Sequence, residues 1–487
     1  MARPTWQRWT LAAVSGVLLT VIYPPFEVSA VTWIALTPLI LAVDATRARA
    51  AFALGWFTGT IGVLGVTGWW IFHAAYVYFQ LGFLGAAVFT VGVTQVFVAL
   101  YFGVFGVLAS LVSGWRLRGV LIPALFVASE YARAHLLTGN PWALLGHAQR
   151  NDALAQLCDL TGVFGLSFVL ALSATAVAEV GRSRVPVVLA AVTIALTWAY
   201  GEWRLANLGS AEATVPMVLV QGNLPNDERG RPERFAAHLD RYLALSERPD
   251  SSRPALIVWP ENAIGFFPAE NPELLGGITA LLRRDDTALL TGAPRAGDRP
   301  GVAAVYNSAY LLTADGVGSV YDKRKLLPFV EQFPLRPADG PFLAGGPPTI
   351  FPLAGTQFGV LICYEAIYPE LARDEVQRGA RVLINLSNDS WFEAGAGPEQ
   401  HFQLARFRAI ENRVSLVRVT NSGISGVIDP AGREIARLPV RTPVAQTVAV
   451  PIGSGESFYS RHGDVFALLC VALSAGVLFR HAAARWT

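Results

Sequence analysis

Eight apolar runs dominate this chain, near residues 9–24, 28–44, 51–72, 82–112, 119–135, 162–180, 184–203 and 463–482. Each is long enough, or nearly so, to cross a bilayer core of about 30 Å as a helix. In lipid such runs are confined to helices, because only a helix pairs every backbone N–H and C=O within its own segment. The run at 82–112 exceeds one crossing, so it is expected to tilt, to extend beyond the bilayer or to include an interfacial turn. Pro24-Pro25 between the first two runs suits a tight hairpin. The Arg-containing start and short apolar core of the first run also fit a signal peptide ending near Val28-Ser29-Ala30. The immediate second run favours a retained hairpin instead.

Arginine placement orients these runs. Arg3 and Arg8 precede the first, Arg47 and Arg49 follow the second, and Arg116 and Arg118 follow the fourth. Arg182 and Arg184 follow the sixth, and Arg480 and Arg485 follow the eighth. Basic residues concentrate on cytoplasmic loops, so both ends of the series are expected in the cytoplasm. The long stretch between the seventh and eighth runs then faces outward. The expected division is a seven-helix membrane domain at 1–205, an outward domain at 213–452 and an eighth membrane helix at 463–482. Between the fifth and sixth runs, TGNPWALLGHAQ is too polar to span and is expected at the interface. Glu130 and Arg133, near the outer end of the fifth run, stand one helical turn apart and are expected to pair locally.

The net charge of +2 and the lack of a basic stripe exclude a nucleic-acid partner. Cys158, Cys363 and Cys470 match neither a zinc spacing nor a disulfide framework, and the seven histidines form no HExxH pair, so no metal or cofactor is expected. The 213–452 stretch holds most of the acidic residues and alternates short β-type runs with helix-like stretches at about 232–246, 272–283, 367–379 and 399–413. That alternation predicts an α/β domain with buried sheets.

Three strand ends in this domain carry reactive side chains. VWPEN places Glu261 directly after a buried-type strand, a position suited to a general base and equally to a solvated turn. YDKRKLLPF holds the only two lysines among 38 basic residues, Lys323 and Lys325. An ammonium is a compact point charge whose pKa responds to burial, unlike a guanidinium, so Lys323 suits an oxyanion-stabilising cation or a surface ion pair. GVLICYEAIYPE ends an apolar strand at Cys363 ahead of a helix near Pro369. That is the placement of an exposed nucleophile, although cysteine is also an ordinary buried hydrophobe.

The ordered set Glu261, Lys323, Cys363 resembles the triad of the nitrilase, or carbon–nitrogen hydrolase, superfamily, which implies a four-layer αββα sandwich. Eight membrane runs with such a domain before the last one, together with LVQGNLP, YDKRKLLPF, CYEAIYPE, NDSWF, QHFQLARFRAIENR and RVTNSGISGVIDPAG, resemble the bacterial apolipoprotein N-acyltransferase family. The resemblance implies a ping-pong acyl transfer. Glu261 takes the Cys363 proton, the thiolate attacks a phospholipid ester, and Lys323 with the backbone N–H after Cys363 holds the oxyanion. The thioester then passes its acyl chain to the α-amino group of an apolipoprotein's diacylglyceryl-cysteine. It further implies phosphatidylethanolamine as donor, an inner-membrane location with the catalytic domain in the periplasm, and supporting or pocket roles for Glu331, Tyr364, Glu365 and Trp391. Apolar loop residues such as Phe266, Phe267, Trp391 and Phe392 suit shielding of an acyl chain or ordinary core. One departure stands out: the family's tryptophan shortly after QGN-P is replaced here by a run reading NDERGRPERF, with Gly230 near its place. Two rivals remain open, a membrane-tethered nitrilase-type amidase and a non-catalytic nitrilase fold that binds ligand for a receptor or transporter.

Overall fold

The computed structural model describes residues 3–208, 213–225, 231–247, 254–297, 304–333, 341–392 and 395–483. The Gly230 position lies outside them. Contacts divide the chain into two compact units, Met1–Asn207 with Trp391–Phe407 and His462–Thr487, and Leu208–Ser390 with Arg408–Arg461.

The first unit is helical. Four helices are long and apolar enough to cross a membrane, Ala48–Tyr78, Gly82–Leu111, Val185–Ala206 and Val465–Ala483, while Ser29–Val43 and Val163–Glu179 are shorter apolar helices. On length and composition, four of the eight expected crossings therefore stand among the described residues. Thr5–Val21 has only 17 residues, and Arg118–His135 carries Glu130 and Arg133 on its 18. Gly82–Leu111 is continuous over 30 residues and has no interfacial turn. At about 1.5 Å per residue it is roughly 45 Å long, more than a hydrocarbon core. A π-helical turn at Gln95–Ala99 widens it where Gln95 Oε1 accepts a bond from Thr60 Oγ1 at 2.8 Å. Glycines bring it against Ala48–Tyr78 backbone to backbone, since a Cβ at Gly55 would stand 2.2 Å from the Phe102 carbonyl oxygen.

Buried charge in this unit is compensated. Arg118 meets Asp44 at 2.8 Å and Glu179 at 3.1 Å, and Arg182 pairs with both acids. Glu130 and Arg133 lie 3.9 Å apart, as expected of a local pair. Their shorter contacts go elsewhere. Glu130 Oε1 accepts from the Leu145 N–H at 2.7 Å, and Arg133 donates to the carbonyls of Trp142 at 2.7 Å and Ala143 at 3.1 Å. These bonds satisfy backbone groups of the segment 142–145, which leads into the short 3-10 helix Leu145–Ala148 and is largely buried within the unit. Trp142 in turn donates its indole N–H to Gln400 Oε1 at 3.0 Å, and Trp70 does so at 3.3 Å. Gln400 Nε2 donates to the carbonyls of Val66 at 2.8 Å and Pro24 at 3.1 Å, so both ends of this buried amide are engaged.

The second unit is a sandwich with twelve strands among the described residues. The first sheet contains β1 (Thr214–Gln221), β2 (Leu256–Val258), β3 (Ala288–Ala296), β4 (Val305–Thr313) and β5 (Gly316–Asp322). The second contains β6 (Phe351–Leu353), β7 (Thr356–Ile362), β8 (Val382–Ser387), β9 (Ser415–Thr420), β10 (Gly426–Ile428) and β11 (Glu434–Arg437). β12 (Val444–Pro451) returns to the first sheet, giving orders β12-β1-β2-β3-β4-β5 and β11-β10-β9-β8-β7-β6. β1, β2 and β3 run parallel, as do β7, β8 and β9. Alternate side chains divide between two cores. Met217, Leu219, Val258 and Leu290 meet Val360, Ile362, Ile384 and Val417 between the sheets, whereas Val218, Val220, Ile257 and Leu289 face the helices Phe235–Ser246 and Gly276–Asp285. Helix Pro369–Gln377 covers the other sheet so closely that a Cβ at Gly359 would lie 2.7 Å from Glu375 Cβ. This is the expected αββα arrangement.

Candidate active site

The three strand ends converge within the sandwich. Glu261 follows β2 through Trp259 and Pro260, Lys323 follows β5 and Cys363 follows β7. β3 runs so close to the first of these that a Cβ at Gly292 would stand 2.4 Å from the Asn262 nitrogen and 2.7 Å from Glu261 Cα. Only glycine allows that approach.

Lys323 is 1 % exposed, and its ammonium stands 2.9 Å from the Glu331 carboxylate and 3.5 Å from Glu261 Oε1. Asn307, at the start of β4, donates one amide proton to Glu261 Oε1 at 2.8 Å and the other to Glu331 Oε1 at 2.9 Å. Its backbone carbonyl accepts the Lys323 N–H at 2.8 Å. Glu331 is held from its own loop by the Leu327 N–H, 2.7 Å from Oε2. One cation and one amide thus bridge two buried carboxylates. Burial alone would lower the Lys323 pKa, but the charges of Glu331 and Glu261 raise it above the ordinary lysine value, so the ammonium keeps its proton.

Cys363 adopts φ +51°, a left-handed conformation that costs a non-glycine residue about 1–3 kcal/mol. The surrounding bonds hold it there. Glu365 Oε2 accepts from the Ile362 N–H at 2.7 Å and from the Tyr321 hydroxyl at 2.9 Å. Its Oε1 accepts from the N–H groups of Arg324 at 2.6 Å and Lys325 at 3.0 Å. A single buried carboxylate therefore ties the turn after β5 to the turn after β7. From the other side, Asn385 Nδ2 donates to the carbonyls of Leu361 at 3.0 Å and Cys363 at 3.3 Å. Burial pushes the Cys363 thiol up to about 12; the Glu261 carboxylate adds to this, and Lys323 and a hydrogen bond with Ser387 oppose it. The resting group is a thiol, not a thiolate. Ser387 also donates to Asp389 Oδ1 at 3.1 Å, and Asp389 is paired with fully buried Arg418 at 2.8 Å.

Glu261, Lys323, Cys363, Glu331 and Glu365 are thus brought together. Tyr364 packs edge-on against Tyr368, 5.1 Å between centroids. Trp391 lies in the helical unit, edge-on to Tyr78 at 4.7 Å, and Phe392 there packs against Trp70 and Trp142. Phe266 is buried in the outer core of the sandwich. Asn307, Ser387, Asp389 and Arg418 went unnoticed in the sequence. Two quoted segments touch them, NDSWF with Asp389 and RVTNSGISGVIDPAG with Arg418 at its start, but neither residue was singled out.

Residues 219–457 match the carbon-nitrogen hydrolase family, and residues 15–176 match the apolipoprotein N-acyltransferase N-terminal domain. Apolipoprotein N-acyltransferase of Geobacter metallireducens is 36% identical, over 96% of this chain and 94% of its own. The chain belongs to the apolipoprotein N-acyltransferase family. Other members from Azotobacter vinelandii and Bradyrhizobium diazoefficiens are 33% and 32% identical, over 90% and 99% of this chain and 88% and 96% of theirs. Among solved structures, an amidase from Nesterenkonia sp. covers 54% of this chain and 97% of its own at 21% identity, with a TM-score of 0.41. Family membership and the apolar helices make this chain a membrane enzyme with a carbon–nitrogen hydrolase domain.

Proposed function

We propose that the chain transfers an acyl chain from a membrane phospholipid, phosphatidylethanolamine, to the N-terminal diacylglyceryl-cysteine of apolipoproteins through a thioester on Cys363. The observation that carries this reading is the strained Cys363 turn beside a buried ammonium flanked by Glu261 and Glu331. Glu261 takes the thiol proton as the sulfur attacks the ester carbonyl. Lys323 and the N–H after Cys363 stabilise the tetrahedral oxyanion. Collapse breaks the C–O bond, and the departing lysophospholipid alkoxide takes the proton from Glu261. In the second half, the acceptor amine attacks the thioester, its proton passes to Glu261, and the thiolate leaves and is reprotonated. Glu331 and Glu365 hold the triad, and Tyr364 serves as a pocket residue. The division at 1–205, 213–452 and 463–482, and a multi-pass inner-membrane location with the middle part in the periplasm, belong to the same reading.

A thioester open to water hydrolyses, so transfer to an amine demands a lipid-fed site that excludes water, for which a helical membrane unit is the natural accompaniment. Purified protein given labelled phosphatidylethanolamine should form a hydroxylamine-sensitive acyl adduct. The adduct should be lost in Cys363→Ala and should pass to a diacylglyceryl-cysteine peptide. Absence of an adduct defeats acyl transfer; discharge to water alone makes the protein a hydrolase.

A further inference from the structure

Lys325 is a cation of this site that the acyl-transfer chemistry leaves unused. Its backbone N–H shares the Glu365 carboxylate with the Ile362 N–H, so its side chain starts beside the Cys363 turn. The ammonium lies over the Tyr368 ring, 4.8 Å from the centroid, and Tyr368 packs on Tyr364, the residue after Cys363. The side chain is half-buried, yet it forms no ion pair or side-chain hydrogen bond with any described residue. Its neighbours differ. Arg324 is paired with Asp374 at 2.8 Å, and Lys323 with Glu331 and Glu261. Burial lowers the Lys325 pKa, and only the charge of Glu370 opposes this. A partly desolvated ammonium with no ion pair among the described residues is costly, and a single cation–π contact with the more remote Glu370 charge offsets only part of that cost. Such a site is completed by an anion, and a compact point charge fits a phosphate oxygen.

We propose that Lys325 binds the phosphodiester anion of the acyl donor while the donor's ester carbonyl lies at Cys363. The assignment rests on the acyl-transfer reading above. In a glycerophospholipid the phosphate and the reacting ester are separated by the glycerol unit alone. Glu365 holds the Lys325 backbone and the turn that carries Cys363 on one carboxylate, and we take one lipid to span the two side chains. A point charge reads the phosphate and not what lies beyond it, so phosphatidylethanolamine and phosphatidylglycerol should be taken alike.

The test compares acyl-Cys363 formation from phosphatidylethanolamine and from phosphate-free diacylglycerol in mixed micelles, for wild type, Lys325→Gln and Lys325→Arg. Loss of one charge-assisted contact predicts that the ratio of kcat/KM for phospholipid over diacylglycerol falls roughly tenfold in Lys325→Gln, through KM, and returns in Lys325→Arg. An unchanged ratio overturns the proposal. So does a Lys325→Gln protein that forms no adduct from either donor, because its defect would not depend on phosphate. Inorganic phosphate should leave wild-type acylation unaffected, since the lipid carries its phosphate to the site at high effective concentration. Inhibition by millimolar phosphate that Lys325→Gln abolishes would make this a free-phosphate site instead. If wild type forms no adduct from either donor, acyl transfer itself fails, which is a separate outcome.

Discussion

Asn307→Asp exchanges the amide that bridges two carboxylates for a third acid. The N–H···O contacts to Glu261 and Glu331, 2.8 and 2.9 Å long, would become contacts between oxygens of like charge. At an effective dielectric of 20, each such contact costs roughly 6 kcal/mol. Proton uptake is cheaper. Holding a carboxyl neutral at pH 7.5 costs about 1.4 kcal/mol per pH unit above its ordinary pKa near 3.9, roughly 5 kcal/mol in all. The introduced acid, once protonated, has one donor for two acceptors, which forfeits a further ~1.5–3 kcal/mol. With about 3–4 kcal/mol of this falling on the transition state, acyl-Cys363 formation should slow by ~10²–10³ at pH 7.5. Lowering the pH supplies the missing proton, so the ratio of variant to wild-type rate should climb towards pH 5.5. Asn307→Ala, which has no proton to regain, should show the defect without that recovery. Quenched-flow measurement of the labelled adduct reads both effects. An Asn307→Asp rate within threefold of wild type, or a ratio that stays flat with pH, refutes the bridging role.

Three further outcomes follow from the same geometry. Glu375 is fully buried on helix Pro369–Gln377, neither carboxyl oxygen has a hydrogen-bond partner among the described residues, and burial with the nearby Glu365 charge raises its pKa to about 9. A raised carboxyl pKa means full stability below about 4.5 and a penalty that grows as pH rises towards 9, so Glu375→Gln should stabilise by roughly 3 kcal/mol at pH 7. The gap in melting temperature between variant and wild type should widen from pH 5 to pH 8, and a constant gap would contradict the assignment. Alkylation of Cys363 by iodoacetamide should keep rising with pH past 9, because the thiol is pushed up to about 12; a plateau below pH 9 would indicate a preformed thiolate. Lys323→Arg keeps the charge but replaces a compact ammonium with a broad fork in a closed pocket, so adduct formation should fall by at least ~10², and near-normal rates would remove Lys323 from the oxyanion site.

The elements most readable in the sequence were those where period and punctuation agree. Expected helices at 232–246, 272–283, 367–379 and 399–413 correspond to Phe235–Ser246, Gly276–Asp285, Pro369–Gln377 and Gly397–Asn412. Glu261 and Cys363 stood out because each follows an apolar strand, where a polar side chain needs a reason to be, and Lys323 because it is one of only two lysines. Asn307 was invisible for the opposite reason. A lone asparagine at a strand start is ordinary, and its role arises only from β4–β5 pairing, in which Ser308 stands opposite Asp322 and so sets Asn307 against Lys323. Membrane crossings were harder to count, because hydropathy alone did not anticipate that Glu130 and Arg133 serve the backbone at 142–145. Gln400 was equally hidden, since its four partners are separated from it by 258 to 376 positions.

Those separations impose an order on biogenesis. Pro24, Val66, Trp70 and Trp142 leave the ribosome long before Gln400 does, so the early helices enter the bilayer with two carbonyls and two indole N–H groups still awaiting their partner. Until residue 400 has been made, these groups lack the amide that joins them in the finished unit. The helical unit is therefore a late product of its own synthesis, and a ribosome stalled before residue 400 carries helices that are inserted but not yet closed.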